Sequence, residues 1–134
     1  MTDRMLAFRS GEGIGDGLGA VRAVREGLPV EFVEKIIEAG QLTIEEVVAL
    51  NIPENRQAAG VNRLTPEQSD RLFRVLRVLQ EAEETFANPE KARLWMRRPT
   101  RALGGQSPIE LLDTDVGARS VEALLARIAH GIAA

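Results

Sequence analysis

Apolar residues recur along the chain at three- and four-residue intervals, with polar residues filling the positions between them. Leu18, Val21 and Val24 open a short amphipathic run that Gly27 closes. In the next run Phe32, Val33, Ile36 and Ile37 share one side, with Glu31, Glu34, Lys35 and Glu38 opposite. That spacing predicts a helix, with Pro29 suited to its first turn and Gly40 to its stop. Thr43-Ile44-Glu45-Glu46 has the composition of a capping box, in which the Thr43 hydroxyl accepts an early amide and Glu46 reaches back. Val47, Val48 and Leu50 supply the apolar side of the helix that follows. Asn51 tolerates a left-handed stop, and Pro53 predicts a second short element over Pro53–Ala59 before Gly60. Helix, short turn, helix is the local grammar of a helix-turn-helix.

The longest helix starts at Thr65-Pro66-Glu67-Gln68, which combines a cap, a first-turn proline and a capping-box glutamine. Leu72, Val75, Leu76, Leu79, Ala82 and Phe86 form its stripe. Phe73 and Val78 flank that stripe, which predicts contacts on more than one side of the helix. Asn88-Pro89-Glu90 caps a further helix carrying Leu94, Trp95, Arg97 and Arg98 before Pro99. Gly104-Gly105 predicts a turn, Ser107-Pro108-Ile109-Glu110 a short helix, and Thr114 the cap of the last helix. Val121, Leu124, Leu125 and Ile128 make the inner face of that helix, and Gly131 ends it. No segment alternates with period two for long enough to form a strand, so the fold class is all-α.

Composition narrows the chemistry. The 134 residues are 44 % hydrophobic and 28 % charged, an ordinary globular balance. With no cysteine and one histidine, disulfides, thiolate metal sites and a cysteine nucleophile are excluded, and no metal or cofactor is expected. No apolar run approaches the roughly 18 residues a membrane span needs, and no signal-peptide core is seen, so a cytoplasmic protein with no membrane partner is expected. Residues 1–54 hold 10 acids against 5 bases, and residues 55–134 hold 10 against 12. A local basic patch is therefore compatible with the second part.

Residues 10–19, SGEGIGDGLG, are half glycine and read as a flexible lead-in. A phosphate-binding loop would need a preceding strand and a lysine, and none follows before Lys35. A nucleotide-binding enzyme built on these glycines is the weakest reading. His130 has no nucleophile elbow to serve; a partner contact or a helix-end cap suits it better. Trp95 reads as core, with an interface role as the alternative. Arg97, Arg98 and Arg101 read as a solvated helix end, or as a fork for acidic groups or phosphate. The adjacent pairs Glu45/Glu46 and Glu83/Glu84 diverge on a helix and read as solvating faces.

From Leu64 onward the chain resembles the C-terminal region of the Xre/MbcA/ParS-type antitoxins. The resemblance rests on the spacing of Asn88-Pro89 to Trp95, then Pro99, Leu103-Gly104-Gly105 and Pro108. It continues through Leu111-Leu112-Asp113-Thr114, Gly117-Ala118, Val121-Glu122, Leu125, Arg127-Ile128 and His130-Gly131. Upstream, GLPVEFVEKIIEAGQLTIEEVVALNIP is similar to the Xre-like part of the subgroup paired with RES-domain toxins. The resemblance implies a flexible arm over 1–19, a small Xre-like domain related to the helix-turn-helix over 20–64, and a helical toxin-binding domain over 65–134.

It further implies a non-enzymatic type II antitoxin whose partner is a RES-domain toxin, an ADP-ribosyltransferase-like enzyme that consumes NAD. The last helix and tail would occlude the toxin's active site through Arg119, Glu122, Ala126, Arg127, His130, Gly131, Ile132, Ala133 and Ala134. A homodimer is expected, because the family tends to associate and Phe73 and Val78 flank the long helix. The alternative activity is autorepression by binding promoter DNA, with Arg56, Gln57, Asn62 and Arg63 as contacts. Here the chain departs from its relatives: the segment after Ile52-Pro53 is short and carries two bases and a glutamate, which reduces the phosphate contacts available.

Overall fold

The computed structural model describes residues 17–131. They form helices α1 (Gly17–Glu26), α2 (Val30–Glu38), α3 (Ile44–Ala49), α4 (Arg56–Ala59), α5 (Pro66–Phe86), α6 (Pro89–Met96) and α7 (Asp115–Ala129), with 3₁₀ turns at Arg101–Leu103 and Pro108–Leu111. Among the described residues the only β geometry is one isolated antiparallel bridge from Pro29 to Arg63; the fold is all-α, as expected. Of the glycine-rich stretch at 10–19, Gly17–Gly19 begin α1, while the rest of the expected arm lies outside the described residues. So do Ile132, Ala133 and Ala134. The chain divides into two compact units, Met1–Phe73 and Arg74–Ala134, the division falling inside α5.

A clasp between Gly27–Val30 and Asn62–Ser69 closes the first unit. The Leu28 amide donates to the buried Ser69 hydroxyl at 2.8 Å. Val30 N–H donates to the Asn62 carbonyl and Leu64 N–H to the Leu28 carbonyl, each at 2.9 Å. Arg63 Nη1 donates to the Gly27 carbonyl at 2.6 Å. Gly27 sits at φ 88°, and a β-carbon there would be driven into the Leu64 carbonyl oxygen, so only glycine fits. With the backbone polar groups paired, Leu28, Val30, Val33, Ile36, Leu42, Val47, Ile52, Leu64 and Leu72 are buried. Pro29 is the extended residue preceding α2, one position before the expected first turn.

Helix α3 has the expected capping box: Glu46 N–H donates to Thr43 Oγ1 at 3.1 Å, and Thr43 N–H to Glu46 Oε1 at 2.9 Å. Arg71 Nη1 donates to the Leu50 carbonyl at its far end, and Asn51 follows in the left-handed region at φ 61°. Val48, expected on the apolar side, is 51 % exposed. Its neighbour Val47 takes the inner position, and consecutive helical residues diverge by about 100°. The second short element also differs. It is a single turn, Arg56–Ala59, because Asn55 rather than Pro53 caps it, with Oδ1 accepting Ala58 N–H at 2.8 Å.

In the second unit the stripe of α5 buries Val75, Leu76, Leu79 and Ala82. Val78 is also fully buried. Expected as a flank open to a partner, it is used up inside the single chain, because the stripe of α5 is covered over a wider arc than its period suggests. Asn88 caps α6 by accepting Lys91 N–H at 3.0 Å. Ala92 and Met96 face inward, while Leu94, opposite them, is 66 % exposed. Trp95 is half-buried, tilted against Phe86 with ring centroids 5.5 Å apart. The turn at Gly104-Gly105 is closed by Leu103 and Gly105 amides donating to the Thr100 carbonyl at 3.0 Å. Ser107 and Glu110 form a capping box, and their hydrogen bonds hold the Glu110 carboxyl below its ordinary range.

Helix α7 lies against the Pro108–Leu111 turn at Gly117, where a β-carbon would overlap the Leu111 carbonyl oxygen. Gly117→Ala improves intrinsic helix propensity by about 1 kcal/mol. It is nevertheless expected to destabilise the protein by about 1–3 kcal/mol through overpacking. Urea denaturation, with Ser120→Ala on the exposed face as the control, checks the sign. A stabilised Gly117→Ala protein would contradict the close approach.

Candidate functional site

Helix α7 has the sequence of a surface helix with one inward face. Thr114 Oγ1 accepts Gly117 N–H at 3.0 Å, and Asp115 complements the positive end of the helix dipole. Ala118, Val121, Leu124 and Leu125 are buried. Ile128, expected with them, is only half-buried, as the helix nears its end. The opposite side faces solvent: Val116, Ser120, Ala123, Arg127 and His130 follow one another at three- and four-residue steps and are all exposed. Arg119 and Ala126 flank this line, exposed, and Gly131 ends it.

Six of the nine tail and helix residues expected to contact the toxin are therefore described, and five of them are exposed. Arg119 Nε pairs with Asp115 at 2.8 Å, both side chains well solvated, so the pair contributes little to stability. Glu122 is the exception. Its carboxylate takes a two-point contact from Arg77 on α5, at 3.0 and 3.3 Å, and its side chain is 24 % exposed. Val116, Ser120 and Ala123 were not among the expected contacts. Val116 is 76 % exposed, yet an apolar residue near a helix start reads as core, and Ser120 and Ala123 carry no chemical signal. Extending the helical period back from His130 and Arg127 is the one sequence cue that finds them.

Arg77, Glu81 and Glu122 form a charge cluster between α5 and α7. Burial, followed by the hydrogen bond and charge of Glu122, pushes the Glu81 carboxyl up to about 7, against the opposing pull of Arg77 and with a further push from Glu84. Protonated Glu81 thus donates to the Glu122 carboxylate while Arg77 neutralises it.

The four expected DNA contacts lie in the first unit and are exposed. Arg56 and Gln57 lie on α4, beside a shallow open groove of about 380 Å³ lined by Val48, Ile52, Pro53, Ala58, Val61 and Arg63 among others. Two features compete with phosphate there. Glu34 Oε2 accepts the Arg56 amide at 3.1 Å, placing a carboxylate at the start of α4. Arg63 is engaged with the Gly27 carbonyl. Among the described residues no group of His, Asp and Glu is arranged to hold a metal, and no helix is long and apolar enough to cross a membrane.

Comparison with known proteins places these surfaces in context. Residues 81–131 match the model of the antitoxin Xre/MbcA/ParS C-terminal toxin-binding domain. The chain is 38 % identical to the antitoxin Xre of Photorhabdus laumondii over 114 residues, covering 81 % of this chain and 77 % of the relative. It is 33 % identical to the antitoxin Xre of Yersinia enterocolitica over 121 residues, covering 87 % and 82 %. It is 32 % identical to the Prs ADP-ribosylating antitoxin of a Sphingobium species over 126 residues, covering 83 % and 78 %.

The charge cluster has a pH signature. A carboxyl raised from 4.5 to about 7 on folding favours the folded state below pH 4.5 and loses that contribution as pH rises through about 7. Glu81→Gln keeps a hydrogen-bond donor and removes the second negative charge. Its melting temperature is expected to equal the parent's at pH 4.5 and exceed it above pH 7.5, by a few degrees. Parallel melting curves at both pH values for the two proteins check this.

Proposed function

The chain belongs to the Xre antitoxin family, and on that premise we propose that it neutralises a RES-domain, NAD-consuming toxin by covering its active-site entrance with α7 and the residues that follow. As a member of this family it is a non-enzymatic type II antitoxin with a toxin as its partner. The finer assignment is supported above all by one observation. The last helix of the matched domain buries one face in its own unit and leaves the other, from Val116 to His130, uncovered.

The chemistry of that face suits occlusion rather than catalysis. Val116, Ala123 and Ala126 are small or apolar and allow close approach, while Arg119, Arg127 and His130 offer cationic or hydrogen-bonding groups at its edges. Ile132, Ala133 and Ala134 follow directly in sequence, a short uncharged tail suited to a cleft. Glu122 serves this face indirectly, by tying α7 to α5 through Arg77. The name of the Sphingobium relative, Prs ADP-ribosylating antitoxin, accords with a partner of ADP-ribosyltransferase type.

The autorepressor activity has weaker support. Helix α4 is one turn long, its first amide is taken by Glu34, and Arg63 is committed to the clasp. Bases at phosphate-contacting positions carry most of non-specific DNA affinity, and few remain here.

Co-expression with the RES-domain toxin of its operon tests the main reading, scoring growth and cellular NAD. The parent chain is expected to restore both and to co-purify with the toxin. Arg127→Glu, or truncation after His130, is expected to weaken the complex by about tenfold or more while helicity is retained. Neutralisation undiminished in both variants would refute the assigned face.

A further inference from the structure

Residues 91–101, KARLWMRRPTR, hold five bases and no acid. They belong to the second unit and lie wholly inside the matched toxin-binding region, yet away in sequence from α7. Local packing decides which of these bases are available. Arg97 Nη1 caps the Arg93 carbonyl at 3.1 Å, and Arg93 is half-buried. Lys91, Arg98 and Arg101 are exposed, and none has an ion-pair partner among the described residues.

An apolar anchor sits among them. Leu94 lies one turn before Arg98 and one turn after Lys91, on the side of α6 opposite Ala92 and Met96, and is 66 % exposed. Beneath it the helix is held firmly: Ala92 and Met96 are buried, and Trp95 rests on Phe86. In the matched region only Leu94 and Val116 are exposed large hydrophobics among the described residues. A well-packed helix presenting one aliphatic side chain in a segment of net positive charge has the form of an interface anchor.

We infer that Leu94, together with the exposed bases Lys91, Arg98 and Arg101 of the same segment, is a second docking surface for the toxin, complementary to an acidic patch with an apolar recess that receives the leucine. The inference rests on the toxin-binding reading above and adds to it a contact that the α7 face does not supply. Two observations select this occupant. The patch falls within the domain whose family role is to bind a toxin, and its charge is predominantly positive, with Lys91, Arg98 and Arg101 outweighing Glu90 in the first turn of α6, which selects an acidic counterpart. Phosphate would satisfy the cations but gain nothing from an exposed leucine in the same segment, which favours a protein surface over nucleic acid.

The test measures affinity of the full chain for the purified, catalytically inactivated RES-domain toxin, by titration at two ionic strengths. Leu94→Asp and the double variant Arg98→Glu, Arg101→Glu are each expected to raise Kd by about tenfold or more. Leu94→Met should bind like the parent. Because these side chains are exposed, circular dichroism and melting temperature should stay at parental values, separating lost contact from lost fold. Higher salt should weaken the parent more than the double variant. Parental binding by Leu94→Asp and by the double variant, alongside failure of Arg127→Glu, would overturn this inference and leave the α7 reading standing. No binding by the parent chain would overturn both. Toxin binding left intact in the double variant, with loss instead of affinity for duplex DNA, would assign the patch to phosphate and overturn it as well.

Discussion

Helix α7 lies where it does because residue 117 has no β-carbon. The Leu111 carbonyl oxygen occupies the space one would need, so the helix and the 3₁₀ turn before it meet backbone to backbone. Thr114 caps the helix three residues earlier, and Leu112 and Ala118 are buried on either side of the contact. With the N-terminal turn held in this way, rotation of α7 about its axis is decided. Val121, Leu124 and Leu125 must point inward, and Val116, Ala123, Arg127 and His130 must point to solvent. The exposed face of α7 is thus the complement of a packing constraint at one glycine.

Charge is distributed with the same economy. Arg77 holds Glu122 from α5, and Glu81 shares a proton with that carboxylate instead of adding a second full negative charge beside it. The cluster fastens α7 at its middle, as Gly117 does at its start. In the first unit a comparable role falls to Arg63 and Ser69, whose side chains complete the clasp at Gly27 and Leu28. A base spent on a backbone carbonyl, and an acid spent on the first amide of α4, leave the segment that resembles a reading helix with little to offer a phosphate backbone. Among the described residues Lys91, Arg98 and Arg101, on α6 and just beyond it, carry no ion-pair partner.

Local chemistry made much of this legible. The caps at Thr43, Thr65, Asn88, Ser107 and Thr114 each act within three residues, so their sequence signatures correspond directly to hydrogen bonds in the structure. Left-handed stops at Asn51 and Gly60 are equally local. Sequence pattern and structure part where one local signal competes with another. Pro53 promised a helix start that Asn55 supplied three residues later in capping terms, and α4 shrank to one turn. Val47 and Val48 read alike, although only one of two adjacent residues on so short a helix can face inward.

By itself, then, the amino-acid sequence determined the all-α class, most of the helix ends and, through an extended match to known antitoxins, the kind of protein this is, because these depend on short-range bonding and on ordered identity along the chain. The tertiary structure alone decided which periodic faces stay open. It buried Val78, exposed Leu94 and Val116, drew Glu122 into a contact with Arg77 forty-five residues away, and tied Arg63 to Gly27. Those outcomes depend on what packs against each helix from distant parts of the chain, which helical periodicity, a property of one segment at a time, does not contain.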